Sequence, residues 1–374
     1  MEYNKKQKVF VDCHVLDKGF QGIRTYIEGI YKELIKDDTK HFYLAAANTQ
    51  NLVNTFGNRS NVTYLRYQFH NKAFRLLVYV PWLIVKHGID VAHFQYRVPP
   101  LKLCHYMVTI HDVLFEDYPQ YFPKINRILS YYTYKFSANY SDVVFSVSPY
   151  AKESVIKHLG TEHVFITPNG IDDVFFETYD KTVMQKKAAE KFNAKNYLIY
   201  ISRWEPRKNQ QLILKAFYEL KLHEQYDLVY AGENTFTNTE YDTLYSTLPD
   251  AVKQKVISLG RISFNDMLVA LRGARLFIYP SIAEGFGIPP LEALAAGIPT
   301  ISSNATAMAD YSSFMGDWQF DPADYNKFKE ILLKALSSQS IIDTTGLKNT
   351  IRSQYNWKIA AGVVKDYLNA IDKK

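Results

Sequence analysis

The chain alternates short apolar runs with helix-spaced stretches, and it does so twice. The first series has strand-like runs at Lys8–Val15, His41–Ala46, Val62–Tyr67, Val91–Gln95, Met107–Ile110, Val143–Val147 and His163–Thr167. Between the first two, Ile23–Lys36 is helical in spacing, with Ile23, Ile27, Ile30, Tyr31 and Leu34 on one side. The alternation restarts after Pro168-Asn169-Gly170. Strand-like runs follow at Tyr197–Ser202, Asp227–Ala231, Lys255–Leu259, Leu276–Tyr279 and Pro299–Ser302, with helical stretches at Asn209–Leu222, Asn265–Arg272 and Pro290–Ala296. Repeated strand–helix alternation predicts α/β domains with doubly wound parallel sheets. A chain of 374 residues exceeds one ordinary core, so the two series read as two Rossmann-like domains, 1–172 and 173–355. The polar helical stretch Asp180–Phe192 reads as a connector between them. The tail is helical over Asn356–Ile371; it could pack back on the first domain as 356–374, although pattern alone does not fix its docking site.

Ligands of such sheets bind beyond the carboxyl ends of the strands. The chemically distinctive residues fall there: Gly19 and Gly22 after the first run, His111 and Asp112 after Met107–Ile110, Arg203 and Lys208 after Tyr197–Ser202, and Glu284 after Leu276–Tyr279. The densest stretch is Ser281–Ile301. There a loop with Gly285 and Gly287 opens a helix at Pro289-Pro290, which Gly297 ends. Two glycines permit close backbone approach to a ligand, and a helix N-terminus offers free N–H groups to an anion. Glu284 and Glu292 bracket the turn. A phosphate cradle beside carboxylates that accept from hydroxyls suits a sugar nucleotide.

Composition narrows the classes. Two cysteines, Cys13 and Cys104, make neither a disulfide framework nor a metal cluster. Met1–Lys8 is polar and charged, without an apolar signal core. The longest apolar run, Leu76–Val85, contains Pro81 and is too short to span a bilayer. A cytoplasmic protein is the expectation, with peripheral placement on the inner face of the cell membrane as a variant of it. Net charge is +6, and between Asn61 and Tyr140 nine Lys/Arg stand against four acids. Lys124, Arg127, Tyr131, Tyr134 and Lys135 fall near one helix face. They read either as a core stripe with solvated lysines or as a surface that meets anionic lipid.

The motifs Ser202-Arg203-Trp-Glu-Pro-Arg-Lys208-Asn209, Pro168-Asn-Gly-Ile-Asp172, Val108-Thr-Ile-His111-Asp112, Leu259-Gly260-Arg261, Ser146-Val-Ser-Pro149 and the paired-glutamate stretch from Pro280 to Thr300 occur in one order. In that order the chain resembles the retaining family-4 (group 1) glycosyltransferases of the GT-B fold, from about Gly22 to about Tyr367. The resemblance implies two Rossmann-like domains facing a central cleft, the first on the acceptor side and the second holding the donor. It implies transfer of a hexose, mannose-like, from a nucleotide-diphosphate sugar to a glycan or lipid-linked acceptor in cell-surface polysaccharide or glycoconjugate synthesis. No cofactor and no metal are implied, and the chain has no Asp-X-Asp motif. No nucleic-acid partner is expected.

The resemblance also implies roles. Glu292 binds the ribose hydroxyls. Glu284 contacts the donor sugar. Gly285, Phe286, Gly287 and Ile288 present backbone N–H groups to sugar and phosphate. Arg203 and Lys208 neutralise the pyrophosphate and the leaving diphosphate. A lysine at a helix start opposes the helix dipole, which favours function at Lys208 over structure. Arg207, between them, reads as a surface or salt-bridge residue. His111 lies near the donor sugar, Gly22 near the pyrophosphate, and Arg261 in the base-binding loop. One departure stands out: where family members often carry Leu-Pro-Glu, this chain reads Asn304-Ala-Thr-Ala-Met-Ala-Asp310.

Other classes stay open. A dinucleotide oxidoreductase would need a Gly-X-Gly-X-X-Gly fingerprint, which Gly19-Phe-Gln-Gly22 does not supply. A binding-only two-domain sugar receptor of the periplasmic kind would need an export signal. A non-catalytic glycosyltransferase-like subunit would not need Arg203, Lys208, Glu284 and Glu292 together.

Overall fold

A computed structural model describes residues 6–17, 22–68, 71–234, 236–337 and 344–372. Both strand series form, each as its own parallel sheet. The chain divides into two compact units, Met1–Gly170 with Tyr355–Lys374, and Ile171–Gln354.

The first unit holds β1 (Gln7–Asp12), β2 (Lys40–Ala46), β3 (Val62–Arg66), β4 (Val91–Gln95), β5 (His105–Thr109), β6 (Val143–Ser146) and β7 (Val164–Ile166). Their order is β3-β2-β1-β4-β5-β6-β7, all parallel. Order reverses between β1 and β4, because the chain winds outward from the centre in both directions. Every residue of β4 and β6 is buried, as expected for strands covered on both faces. Helix α1 (Gly22–Leu34) follows β1 and buries Tyr26, Ile27, Ile30, Tyr31 and Leu34.

Between β3 and β4 helical backbone runs unbroken from Lys72 to His87. It is π-helical at Arg75–Tyr79 and ends as α2 (Val80–His87). Pro81 accounts for the wider turn: it lacks an N–H, and its ring crowds the carbonyl four residues back, at Leu77 inside the π segment. Helix α3 (Lys124–Tyr140) links β5 to β6. Its Tyr131 and Tyr134 pack partly buried against the core, so the stripe read as core or lipid-facing turns its tyrosines inward.

The second unit holds β8 (Tyr197–Ile201), β9 (Asp227–Ala231), β10 (Val256–Gly260), β11 (Leu276–Tyr279), β12 (Thr300–Ser303) and β13 (Gln319–Phe320), ordered β10-β9-β8-β11-β12-β13. The reversal lies between β8 and β11. Helix α4 (Lys181–Phe192) is no connector. It belongs to this unit, where Ala188 is fully buried beside Gly273 at the end of α6 (Phe264–Gly273), and a Cβ there would lie 3.4 Å from that of Ala188. Helix α5 (Gln210–Glu219) follows β8 and α7 (Ile288–Ala295) follows β11.

The last helix, α8 (Trp357–Asp372), packs on α1 of the first unit. Its anchor is the Trp357 ring, seated where Gly29 and Gly170 lack side chains. A Cβ on Gly29 would meet Trp357 Cδ2 at 2.1 Å, and one on Gly170 would meet the same atom at 2.7 Å. Gln7 Nε2 on β1 donates to the Leu368 carbonyl at 3.0 Å.

Candidate active site

The reversal of strand order in the second unit brings two loops together. The loop after β8 folds as a 3-10 turn, Pro206–Lys208, which Asn209 ends in the left-handed conformation before α5 begins. Proline fixes the start of the turn, and the tight backbone directs Lys208 inward. Lys208 is 6% exposed, not the surface lysine that its place before a helix would suggest. The loop after β11 ends at Gly287, with φ +87°, a conformation that favours glycine. A Cβ at Gly287 would also meet Met308 Cγ at 2.9 Å.

The two loops interlock through charge. Lys208 Nζ lies 2.6 Å from Glu284 Oε1 and 3.0 Å from the Tyr279 hydroxyl, which itself donates to Glu284 Oε1 at 2.9 Å. Arg207 Nη1 donates to Glu284 Oε2 at 3.2 Å and to the Ala283 carbonyl at 2.5 Å. Arg207 Nη2 reaches Glu205 Oε2 at 2.7 Å, and Glu205 Oε1 accepts from Arg203 Nη2 at 2.9 Å. The result is an alternating file, Arg203–Glu205–Arg207–Glu284–Lys208, closed by Tyr279. Burial opposes ionisation of Glu284, but the charges of Lys208 and Arg207 outweigh it and hold the carboxyl at about 2. Burial lowers the Lys208 pKa, an effect that Glu284 opposes. Three cations face two carboxylates, which leaves one net positive charge.

The backbone of Glu284 is held from the segment that departs from the familiar pattern. Its N–H donates to Thr306 Oγ1 at 2.9 Å. Thr306 has φ +54°, a strained setting for a β-branched residue. Tyr311 donates its hydroxyl to the Phe286 carbonyl and holds the loop below Gly287. Ile288 is the first residue of α7. Four residues into that helix, Glu292 is half-buried, and no group among the described residues donates to its carboxyl. Burial, with Asp172 adding repulsion, pushes its pKa up to about 8.

In the first unit, His111 follows β5 and is buried. Its Nε2 pairs with Gln95 Oε1 at 2.7 Å, and its ring meets Tyr26 edge-on with centroids 4.9 Å apart. Burial lowers its pKa to about 3, so the imidazole is neutral near pH 7. Asp112 Oδ1 accepts from Leu114 N at 3.3 Å, in the manner of a helix cap. Gly22 is exposed at the start of α1, and Gly19 lies outside the described residues. Among the described residues, no group of three or more His, Cys, Asp or Glu side chains is placed to hold a metal ion.

Against known proteins, residues 20–175 match the family described as Glycosyltransferase Family 4, and residues 183–352 match Glycosyl transferases group 1. Together the two matches span most of both units. The chain is a glycosyltransferase of this group. It is 25% identical over 281 residues to O-antigen chain mannosyltransferase B of Escherichia coli, covering 72% of each chain. Its fold is similar to sucrose-phosphate synthase from Thermosynechococcus elongatus, with a TM-score of 0.76, 16% identity and coverage of 98% of this chain and 99% of that one. It is also similar to Anabaena HepE in complex with UDP-glucose, with a TM-score of 0.73, 15% identity and coverage of 97% and 99%. These likenesses and the two parallel sheets assign the glycosyltransferase to the GT-B fold class.

Of the residues singled out in the second unit, Lys208 and Glu284 meet directly, and Arg203 joins them through Glu205 and Arg207. Arg261 does not join this file. It is exposed just after β10, beside Gly260 with φ +58°. Sequence reasoning missed Arg207 as a site residue, along with Glu205, Tyr279 and Thr306. Arg207 forms salt bridges as expected, but it is not at the surface: its side chain is 12% exposed. The available signal was the crowding of three bases, Arg203, Arg207 and Lys208, and one acid, Glu205, around one proline.

Proposed function

We propose that this glycosyltransferase moves a hexose, mannose-like, from a nucleoside-diphosphate sugar to a hydroxyl of a glycan or lipid-linked acceptor, in assembly of cell-surface polysaccharide. The observation that carries the reading is the file Arg203–Glu205–Arg207–Glu284–Lys208 at the strand-order reversal. Its two carboxylates keep three cations extended and oriented before any ligand arrives. A pyrophosphate, with charge that grows as the sugar leaves, is stabilised by such a preorganised array. Lys208 and Arg203 are assigned to the diphosphate, with Arg207 behind them. Glu284 holds Lys208 and Arg207 in place and lies beside the donor sugar. The loop Gly285–Ile288 offers backbone donors at the start of α7. Glu292, a carboxyl with no donor among the described residues, accepts from the ribose hydroxyls. His111, neutral and tied to Gln95, is suited to hydrogen bonding rather than to acid–base exchange.

With cations provided by side chains, the reaction proceeds in this reading without a divalent metal. The acceptor attacks from the side the diphosphate leaves, and the anomeric configuration is retained. The mannose-like choice rests on the mannosyltransferase relative, and the nucleotide diphosphate on the UDP-glucose complex of the similar fold. The test is a thermal-shift panel of UDP, GDP and ADP with their sugars, followed by proton NMR of the product in EDTA. One nucleotide that raises Tm, and a product with the donor's configuration, are expected. An inverted product, or activity abolished by EDTA, overturns the mechanism.

A further inference from the structure

We infer that one side of the first unit docks on the surface of an anionic lipid bilayer, through the outer faces of the helical rod Lys72–His87, the crossover Tyr96–Cys104 and α3. This goes beyond the donor chemistry and does not rest on it.

Exposed apolar side chains are concentrated there. Twelve of the nineteen large exposed hydrophobic residues among the described residues lie between Phe74 and Phe136. The rod shows Leu77, Val78, Trp82 and Val85 to solvent, and the crossover shows Leu101 and Leu103. On α3, Ile125, Ile128, Leu129, Tyr132 and Phe136 recur at three- and four-residue steps, with Ile125 80% and Tyr132 67% exposed. These are not the tyrosines that the sequence pattern placed on one face, since Tyr131 and Tyr134 pack inward.

The three segments share one side of the sheet. The links β3→β4, β4→β5 and β5→β6 all advance in the same direction across the strand order, whereas β1→β2→β3 runs the other way. Right-handed crossovers therefore put these three links on a common face. The core agrees: Tyr79, Leu83 and Ile84 of the rod, Val98 of the crossover and Ala138 of α3 belong to one buried cluster. Arg97 Nε donates to Thr133 on α3 at 2.9 Å, and Lys102 N donates to the Tyr140 hydroxyl at 3.2 Å.

Charge selects the occupant. The three segments carry eight Lys/Arg and no Asp or Glu. Lys72, Lys86, Lys102, Lys124 and Lys135 are exposed among the apolar residues, with Lys86 over the Trp82 ring at 4.5 Å. The nearest acid in sequence to α3, Asp142, pairs with Lys102 at 3.0 Å. A second copy of the chain would oppose basic to basic. An anionic headgroup layer accepts both parts, with apolar side chains sunk to the acyl boundary, aromatic rings at the interface and lysines reaching out to phosphates. No helix among the described residues is long and apolar enough to cross a membrane, so this contact lies along the surface.

The test is vesicle flotation of the full chain with phosphatidylcholine alone and with phosphatidylcholine plus phosphatidylglycerol, alongside sedimentation equilibrium without lipid. The wild type is expected to float with the anionic vesicles, less so as salt rises, and not with the neutral ones. The exposed pair Ile128→Asp with Leu129→Asp should lower recovery at least about tenfold. The exposed pair Val183→Asp with Tyr218→Asp in the second unit should float as the wild type does. Circular dichroism confirms that both variants are folded. Equal flotation with neutral and anionic vesicles, or flotation unchanged in Ile128→Asp/Leu129→Asp, overturns the proposal. So does a stable dimer that this pair dissolves. Any of these leaves the glycosyl-transfer reading intact, because no arm measures activity.

Discussion

Lys208 Nζ and Glu284 Oε1 stand 2.6 Å apart, although 76 residues separate them in the chain. Each comes from a loop at the end of a central strand, β8 or β11, and the reversal of strand order makes those strands neighbours. The pair is buried with Arg207 and Tyr279, so neither charge has water as a substitute partner. Glu284→Ala should therefore cost about 3–5 kcal/mol of stability, because Lys208 and Arg207 would stay buried without their counter-ion. Urea unfolding reads the loss. A change below about 1 kcal/mol would show that solvent reaches the pair.

Lys208→Ala should lower kcat by about a hundredfold or more, with a smaller change in donor KM, because the ammonium acts where charge grows on the leaving diphosphate. Steady-state kinetics with the donor found in the thermal-shift panel decides it. A pure KM effect would make Lys208 a ground-state binding residue.

Glu292 gives a prediction with a sign. Its folded pKa of about 8 lies above the ordinary 4.5. The stability contributed by the protonated form is full below about 4.5 and disappears as pH rises through about 8. Glu292→Gln should remove that loss, raising Tm at pH 8 relative to the wild type. It should also weaken nucleotide binding about tenfold by calorimetry, because the amide offers one acceptor oxygen where the carboxyl offers two. Lower Tm together with unchanged affinity would reverse the assignment.

His93 and His111 carry the opposite sign. Burial holds both at about 3, below the ordinary 6.5. Each contributes stability that is complete above about 6.5 and is lost as pH falls toward about 3. His93 is fixed at both nitrogens, Nδ1 to the Tyr31 hydroxyl at 2.7 Å and Nε2 to Thr109 Oγ1 at 2.8 Å. Imidazole NMR signals of the two should stay unshifted from pH 8 to pH 5. A midpoint near 6.5 for either would mean that water enters the core.

Gly29→Ala should destabilise the protein by about 1–3 kcal/mol despite the better helix propensity of alanine, because the added Cβ would fall inside the Trp357 ring. Thermal unfolding of the full chain measures it. Gly57→Ala is unsuitable as its control, since Gly57 has φ +72°; Gly362→Ala, inside α8 with open space around the added Cβ, should be neutral or stabilising by up to about 1 kcal/mol.

Much of this was legible in the residues. The bounds of β4, β9 and β11 coincide with the apolar runs Val91–Gln95, Asp227–Ala231 and Leu276–Tyr279, because fully buried parallel strands leave uninterrupted apolar stretches. Strand β13 was not legible: two residues, Gln319 and Phe320, carry no periodicity. Arg207 was missed because spacing does not tell a buried arginine from a solvated one, and its burial depends on Glu284, far away in sequence. Helix α3 shows a different limit. Period 3.6 groups residues by face, but with apolar residues all round it does not say which face turns inward. Tyr131 and Tyr134 do, while Ile128 and Leu129 do not.

The seat of Trp357 also bears on how the chain acquires its fold during synthesis. Gly29 and Gly170 leave the ribosome long before the residue that fills the space between them. Throughout translation of the whole second unit, the nascent first unit carries an open apolar slot on α1. Its folding can be completed only when α8 emerges, so a stalled or truncated product would expose that slot to chaperones and proteases even with its seven-stranded sheet already formed.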